Sequence, residues 1–141
     1  MASAAKKDVI EIRFPSRKEY VGVVRLAISG LGQRCNFTID EIEDLKIAIT
    51  EACTNAVVHA YNGKPGEIIV RCHPAKNTLT VEVNDKGVGF NPKTVVPGTK
   101  GKGKTPSLGL GLTFIKSVTN DLKIKSVPKK GTTLTFRKKH A

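Results

Sequence analysis

Three short segments carry residues whose types and spacing suit chemistry. The first is Glu51-Ala-Cys-Thr-Asn55-Ala-Val-Val-His59, in which a carboxylate, an amide and an imidazole recur every four residues. On an α-helix, positions four apart lie about 40° from one another, so the three share one narrow sector. Burying an unpaired carboxylate is costly, so Glu51 is expected either to face a water-filled cleft or to sit in a paired network; the plainer reading is a solvated polar seam. The second segment is Asp85-Lys-Gly87-Val-Gly89. Its glycines let backbone approach a flat ligand, and Asp85 offers a carboxylate to an amine donor, although Asp-x-Gly is also a common turn. The third is Ser107-Leu-Gly109-Leu-Gly111-Leu112. Glycines opening a helix leave free N–H groups at a positive dipole end, a seat for phosphate. It is not a Walker A loop, and Gly87-x-Gly89 is not a dinucleotide fingerprint, because no helix follows it.

The elements that position these segments are legible from periodicity. Ile10, Ile12 and Phe14 alternate with charged residues as a half-buried strand ended by Pro15. Ser16-x-x-Glu19 reads as a capping box opening a first helix with stripe Val21, Val24, Ile28 and Leu31, ended by Gly30 and Gly32. A second box, Thr38-x-x-Glu41, opens a long helix that runs to about Tyr61 before Asn62-Gly63. Its stripe is Ile42, Leu45, Ile49, Ala52 and Ala56; Ile47 and Val58 lie off it, so this helix is expected to be covered on several sides. Two strands follow, through Ile68–Cys72 and Leu79–Val83, with His73–Asn77 as the turn. Residues 91–107 read as a long loop rich in Gly, Pro and Lys, Leu110–Val118 as a third helix, and Leu122–Val127 with Thr132–Arg137 as a hairpin. The order β-α-α-β-β-loop-α-β-β predicts an α/β two-layer sandwich, a mixed, mostly antiparallel sheet with helices on one face.

A chain of 141 residues fits a single domain over 1–141, with its core at about 8–137. Cys35, Cys53 and Cys72 form no CxxC pair and read as reduced thiols of a cytoplasmic protein. No secretory signal and no membrane span is apparent. Net charge is +12 and lies wholly in the second part: residues 1–62 hold 8 basic and 8 acidic side chains, residues 63–141 hold 16 and 4. Such a field favours anionic partners. Aromatic stacking residues of a nucleic-acid reader are missing, which argues against nucleic acid.

In this order and spacing the three segments resemble the N, G1 and G2 boxes of the GHKL ATPase/kinase superfamily, and Gly131-Thr132-Thr133 resembles its terminal G-T motif. The runs Glu19–Gly30 and Asp40–Tyr61 resemble, more narrowly, the bacterial anti-sigma-factor serine kinases of the anti-sigma-B type. The resemblance covers residues 8–137 and implies the histidine-kinase-like (Bergerat) ATPase fold, ATP and Mg²⁺ as cofactors, and transfer of phosphate to a protein serine. It implies that Glu51 is the general base and that Asn55 holds Mg²⁺. Asp85, with Thr132 or Thr133, would accept the adenine amine, and Gly87 and Gly89 would wall the base. Gly109, Leu110, Gly111 and Leu112 would give N–H groups to the phosphates, and Lys100, Lys102 and Lys104 of the lid loop would add positive charge.

The partners so implied are an alternative sigma factor and the anti-anti-sigma antagonist that is phosphorylated, with the protein acting as a homodimer. Arg25 and the first helix are the candidate docking surface. His59 reads as structural, and no phospho-accepting histidine domain accompanies it. Two other functions compete. One is a switch-type serine kinase of a stress-signalling module that does not bind sigma; the other is a non-catalytic basic module that binds nucleic acid with strong salt dependence.

Overall fold

The computed structural model describes residues 8–62, 64–89 and 106–141, with side chains of the last stretch from Gly109 onward. The expected lid, with Lys100, Lys102 and Lys104, lies outside the described residues. The elements are β1 (Ile10–Pro15), α1 (Val21–Arg34), α2 (Ile39–Asn55), β2 (Glu67–Ala75), β3 (Thr78–Asp85), α3 (Pro106–Val118), β4 (Asp121–Val127) and β5 (Gly131–Lys139). They form one five-stranded sheet in the order β1-β2-β3-β5-β4.

The sheet expected to be mixed is antiparallel at every pairing. Chain direction explains this. Two helical passes separate β1 from β2, and α3 and β4 separate β3 from β5, so each pair of neighbours runs in opposite directions. The inner face presents Ile68, Val70, Cys72, Leu79, Val81 and Phe136, all fully buried under Val24, Ile28, Leu45 and Ile49 of α1 and α2. Each such aliphatic or aromatic side chain contributes roughly 1.5–3 kcal/mol of burial free energy.

α2 begins as predicted. Thr38 Oγ1 accepts from the N–H of Glu41, and Glu41 Oε1 accepts from the N–H of Thr38, closing the capping box. The first box does not form. The segment is a 3₁₀ turn, Lys18–Tyr20, without a side-chain cap; Glu19 pairs with Arg17, and the Ser16 N–H donates to the carbonyl of Gly66. That bond ties residue 16 to the approach of β2, so the helix starts only at Val21.

Nor do Gly30 and Gly32 stop α1, which runs to Arg34 and ends at Asn36 in the left-handed region. Gly32 instead lets α1 press on α2: a Cβ there would lie 3.0 Å from Ile42 Cγ1 and 3.1 Å from Leu45 Cδ1. Ile47 and Val58, expected to be covered, are 43% and 54% exposed, because sheet, α1 and α3 leave that side of α2 open. The β2–β3 turn is only Lys76–Asn77, since Ala75 pairs with Thr78. Among the described residues no helix is long and apolar enough to cross a membrane.

Glu41 has a second duty. Besides the cap, Oε1 meets His140 Nδ1 at 2.7 Å and Oε2 accepts from the Ala141 N–H at 2.8 Å. Burial raises its pKa, but the hydrogen bonds from His140, Thr38 and Ala141 outweigh that and hold it at about 2. A carboxyl lowered on folding stabilises the fold above its usual 4.5, and this contribution disappears as pH falls toward 2. Urea midpoints measured from pH 6 to 2 are therefore expected to fall below about pH 4.5, and Glu41→Gln to flatten that decline.

Candidate functional site

The last two turns of α2, the end of β3 and the start of β5 enclose a cleft of about 170 Å³. It is lined by Asn55, His59, Asp85, Gly89, Leu112 and Thr132 together with apolar Val83, Val88, Ile124 and Leu134. Residues from all three sequence segments and the terminal G-T motif thus meet in one place.

The floor of the cleft is set by strand register. Asp85 is the direct partner of Thr132, and Thr132 of Ser126, so the three stand side by side across β3, β5 and β4. Side chains alternate along a strand, so Thr133 belongs to the opposite face and only Thr132 lines the cleft. Asp85 is 7% exposed, and burial pushes its carboxyl pKa upward against opposing hydrogen bonds from the Gly87 and Thr132 N–H groups. Its Oδ1 accepts from the Gly87 N–H at 3.0 Å. The turn and the binding reading of Asp-x-Gly therefore coexist, since an ionised carboxylate has about four acceptor sites.

The loop after Asp85 is clamped from three sides. The Lys86 N–H donates to Tyr61 Oη at 2.9 Å, and Tyr61 Oη donates to the Glu67 carbonyl at 2.6 Å. The Val88 N–H donates to the Ala60 carbonyl at 2.6 Å, and the Lys129 N–H to the Val88 carbonyl. Gly87 is buried against the helix end and does not line the cleft: a Cβ there would sit 2.0 Å from the Ala60 carbonyl oxygen. Gly89 does line it.

Residues 56–60 form a π-helical turn continuing α2, a geometry often found at functional sites. It carries His59, half-buried in the cleft wall, whose pKa burial lowers toward the neutral imidazole. Asn55 is 8% exposed, and its Nδ2 is buried without a hydrogen-bond partner. A buried polar group left so costs about 1–3 kcal/mol, which a ligand in the cleft can recover. Gly111 of α3 makes room for that amide; a Cβ there would lie 2.7 Å from Asn55 Nδ2.

Two groups of predicted residues are placed differently. α3 starts at Pro106, so Gly109 is its fourth residue and Leu110, Gly111 and Leu112 lie beyond. Backbone N–H groups at those three positions are taken up by carbonyls of the preceding turn. Of these residues Leu112 lines the cleft, while Leu110 is 42% exposed. Glu51 does not line the cleft. It stands half-buried in a separate shallow depression with Arg25, Glu43, Lys46, Ile47 and Thr50, where Arg25 Nε donates to Thr50 Oγ1 at 2.9 Å. Sequence reasoning missed Ser126 and Tyr61, which touch the site through strand register and a long-range hydrogen bond that carry no local signal.

Residues 14–138 match the histidine kinase-like ATPase domain. The chain belongs to that family. Within it, the chain is 41% identical over 126 residues to the serine-protein kinase RsbW of Bacillus velezensis, covering 84% of this chain and 79% of that protein, which places it in the RsbW family. It is 51% identical over 85 residues to serine-protein kinase RsbW of Bacillus subtilis, and 49% over 89 residues to that of Bacillus pumilus. Those two stretches span 53% and 55% of the relatives' lengths, about half. Among solved structures, the RsbU and RsbW domains of Rv1364c from Mycobacterium tuberculosis superpose with a TM-score of 0.67 at 18% identity, over 94% of this chain and 32% of that one. The catalytic domain of histidine kinase ThkA gives 0.53 at 14% identity, over 94% and 97%. At such identities the likeness is one of fold, the histidine-kinase-like ATPase fold expected from the motifs.

The clamp makes a paired prediction for this ATPase domain. Gly87→Ala drives a Cβ into backbone and is expected to cost about 2–3 kcal/mol. Gly30→Ala meets nothing within 4 Å in mid-helix and is expected to gain about 0.5–1 kcal/mol. Urea denaturation of both variants checks the contrast.

Proposed function

We propose that the protein is an ATP-dependent serine-protein kinase and anti-sigma factor. In this reading it binds and inhibits an alternative sigma factor and phosphorylates a serine of the anti-anti-sigma antagonist. The observation that carries the reading is the cleft itself. A buried carboxylate paired in register with Thr132 faces it from the sheet, an unsatisfied Asn55 amide faces it from α2, and relatives matched over most of their length are named serine-protein kinases.

Asp85 accepts the adenine amine, with Thr132 beside it, and Gly89 and Val88 border the base. Asn55 is the residue that would hold Mg²⁺ at the phosphate end, through Oδ1, since the unpartnered Nδ2 only donates and suits a phosphate oxygen instead. Among the described residues no group of three or more His, Cys, Asp or Glu gathers to hold a metal, so the donor set fits an ion carried in largely by phosphate oxygens. Bound there, Mg²⁺ neutralises phosphate charge. Phosphate N–H donors from Gly109 to Leu112 require α3 to begin later than it does here, and Lys100, Lys102 and Lys104 are proposed as lid cations.

Glu51, one turn before Asn55 and outside the cleft, suits an acceptor that arrives over the outer face of α2. It removes the serine proton as the serine oxygen bonds to the γ-phosphorus and the bond from that phosphorus to the β–γ bridging oxygen breaks, releasing ADP. The exposed Val23 and Leu26 of α1, 60% and 73% accessible, together with Arg25, support docking of partners or a second copy on that helix. Buried, free Cys35, Cys53 and Cys72 suit a reducing cytoplasm.

Calorimetric titration of ATP with Mg²⁺ tests the cleft. Wild type is expected to bind and Asp85→Asn to bind at least about tenfold more weakly, a charged hydrogen bond being lost. Glu51→Ala is expected to keep ATP affinity while phosphate transfer to the antagonist serine drops by roughly 10²-fold or more. Transfer at the wild-type rate would remove Glu51 from the role of base, and absence of ATP binding by folded wild type would overturn the kinase reading.

A further inference from the structure

The β2–β3 ladder stops at the pair Ile68–Asp85, although β2 itself begins one residue earlier, at Glu67. In antiparallel register the next pair would be Glu67 with Lys86. A phenol hydroxyl stands between them instead. Tyr61 Oη accepts from the Lys86 N–H at 2.9 Å and donates to the Glu67 carbonyl at 2.6 Å. An amide N–H only donates and a carbonyl only accepts, so the single phenol hydrogen goes to Glu67.

We propose that Tyr61 is a positioning residue for recognition of the nucleotide base: its hydroxyl, wedged between Lys86 and Glu67, ends the ladder at Asp85 and so holds the turn that aims the Asp85 carboxylate. This rests on the reading of the cleft as an ATP site.

Pairing across the sheet and turning toward the helix end are alternatives for residues 86–88. Here the chain turns. The Gly87 N–H comes back to Asp85 Oδ1 at 3.0 Å, and the Val88 N–H reaches the Ala60 carbonyl at 2.6 Å. The bond from Gly87 fixes the rotation of the carboxyl group, and the carboxylate keeps acceptor sites for an amine. Direct pairing of Lys86 with Glu67 would carry the ladder past Asp85 and draw the Gly87 N–H away from it. The phenol oxygen satisfies both backbone groups and removes that alternative. Its own place is set independently of the hydroxyl. Tyr61 follows the π-helical turn 56–60, and its ring lies on Gly66, where a Cβ would come within 2.4 Å of three ring carbons. Removing the oxygen alone therefore separates the wedge from the packing.

Calorimetry with Mg²⁺ present, on wild type and Tyr61→Phe, compares ATP with purine riboside triphosphate, which is ATP without its amino group. Wild type is expected to prefer ATP, because Asp85 accepts from that amine. Tyr61→Phe is expected to reduce the preference about five- to tenfold, one misaligned hydrogen bond, with purine riboside triphosphate bound within about twofold of wild type. Equal loss of both ligands, the mark of a merely structural phenol, or an unchanged preference would overturn the assignment. Should Tyr61→Phe fail to fold, Gly66→Ala, which keeps the hydroxyl but pushes its ring aside, carries the same comparison. If wild type binds both ligands equally, the amine is not read and the assignment fails while the nucleotide cleft stands; if wild type binds neither, the cleft reading fails first.

Discussion

The register between β3 and β5 is the constraint on which the site depends. Asp85 must face Thr132, and Val83 must face Leu134, for the cleft floor to be polar at one end and apolar beyond it. A slip of one residue would turn Thr133 inward and exchange every core side chain of β5 for an outward one. What prevents it is the alternation itself: Leu134 and Phe136 are buried while Thr133, Thr135 and Arg137 lie on the other face. The hydrophobic core and the cleft floor are therefore secured by the same pairing, and neither can shift without the other.

Around that floor the chain builds a rigid frame from backbone. The loop after β3 is held by the helix end through Ala60 and Tyr61 and by the β4–β5 hairpin through Lys129, so two segments distant in sequence fix Lys86 and Val88. Glycine at position 87 is the condition for the approach to Ala60, because any side chain would meet a carbonyl that cannot move away. Such a frame presents a carboxylate and a hydroxyl with little freedom left to lose when a flat ligand enters.

The opposite end of α2 is tied down in turn. Glu41 closes the cap and receives His140 and Ala141, while Lys138 Nζ donates to Asp44 Oδ2 and to the Val118 carbonyl, each at 2.8 Å. Lys138 thereby joins the end of β5 to α2 and to the last turn of α3. The helix that carries Glu51 and Asn55 is thus anchored at both ends, and α3, which lays Gly111 against Asn55, is anchored to the same strand. Glu51 is left on the open side with exposed Ile47 near it, in a depression separate from the cleft that Asn55 lines.

Much of this was legible in the residues. Period-two alternation marked β1, β2 and β3, the turn around Pro128–Gly131 marked the β4–β5 hairpin, the Thr38–Glu41 box marked the start of α2, and the four-residue spacing of Glu51, Asn55 and His59 marked a polar sector of the helix. Those are local signals, set by backbone geometry and by which side chains tolerate water. Other decisions belong to the tertiary structure alone. Ser16 and Glu19 have the composition of a cap, yet a hydrogen bond from Ser16 to Gly66 holds the segment elsewhere. Gly30 and Gly32 have the composition of a stop, yet α1 continues because its contact with α2 needs a small residue there. Which of Thr132 and Thr133 meets Asp85, that Glu51 and Asn55 look into different depressions, and that Ser126 stands beside Thr132 were all decided by strand register and helix packing. The sequence by itself determined the elements and the chemical groups available; long-range pairing decided which groups face one another, because a residue's neighbours across a sheet are set by contacts that no local pattern records.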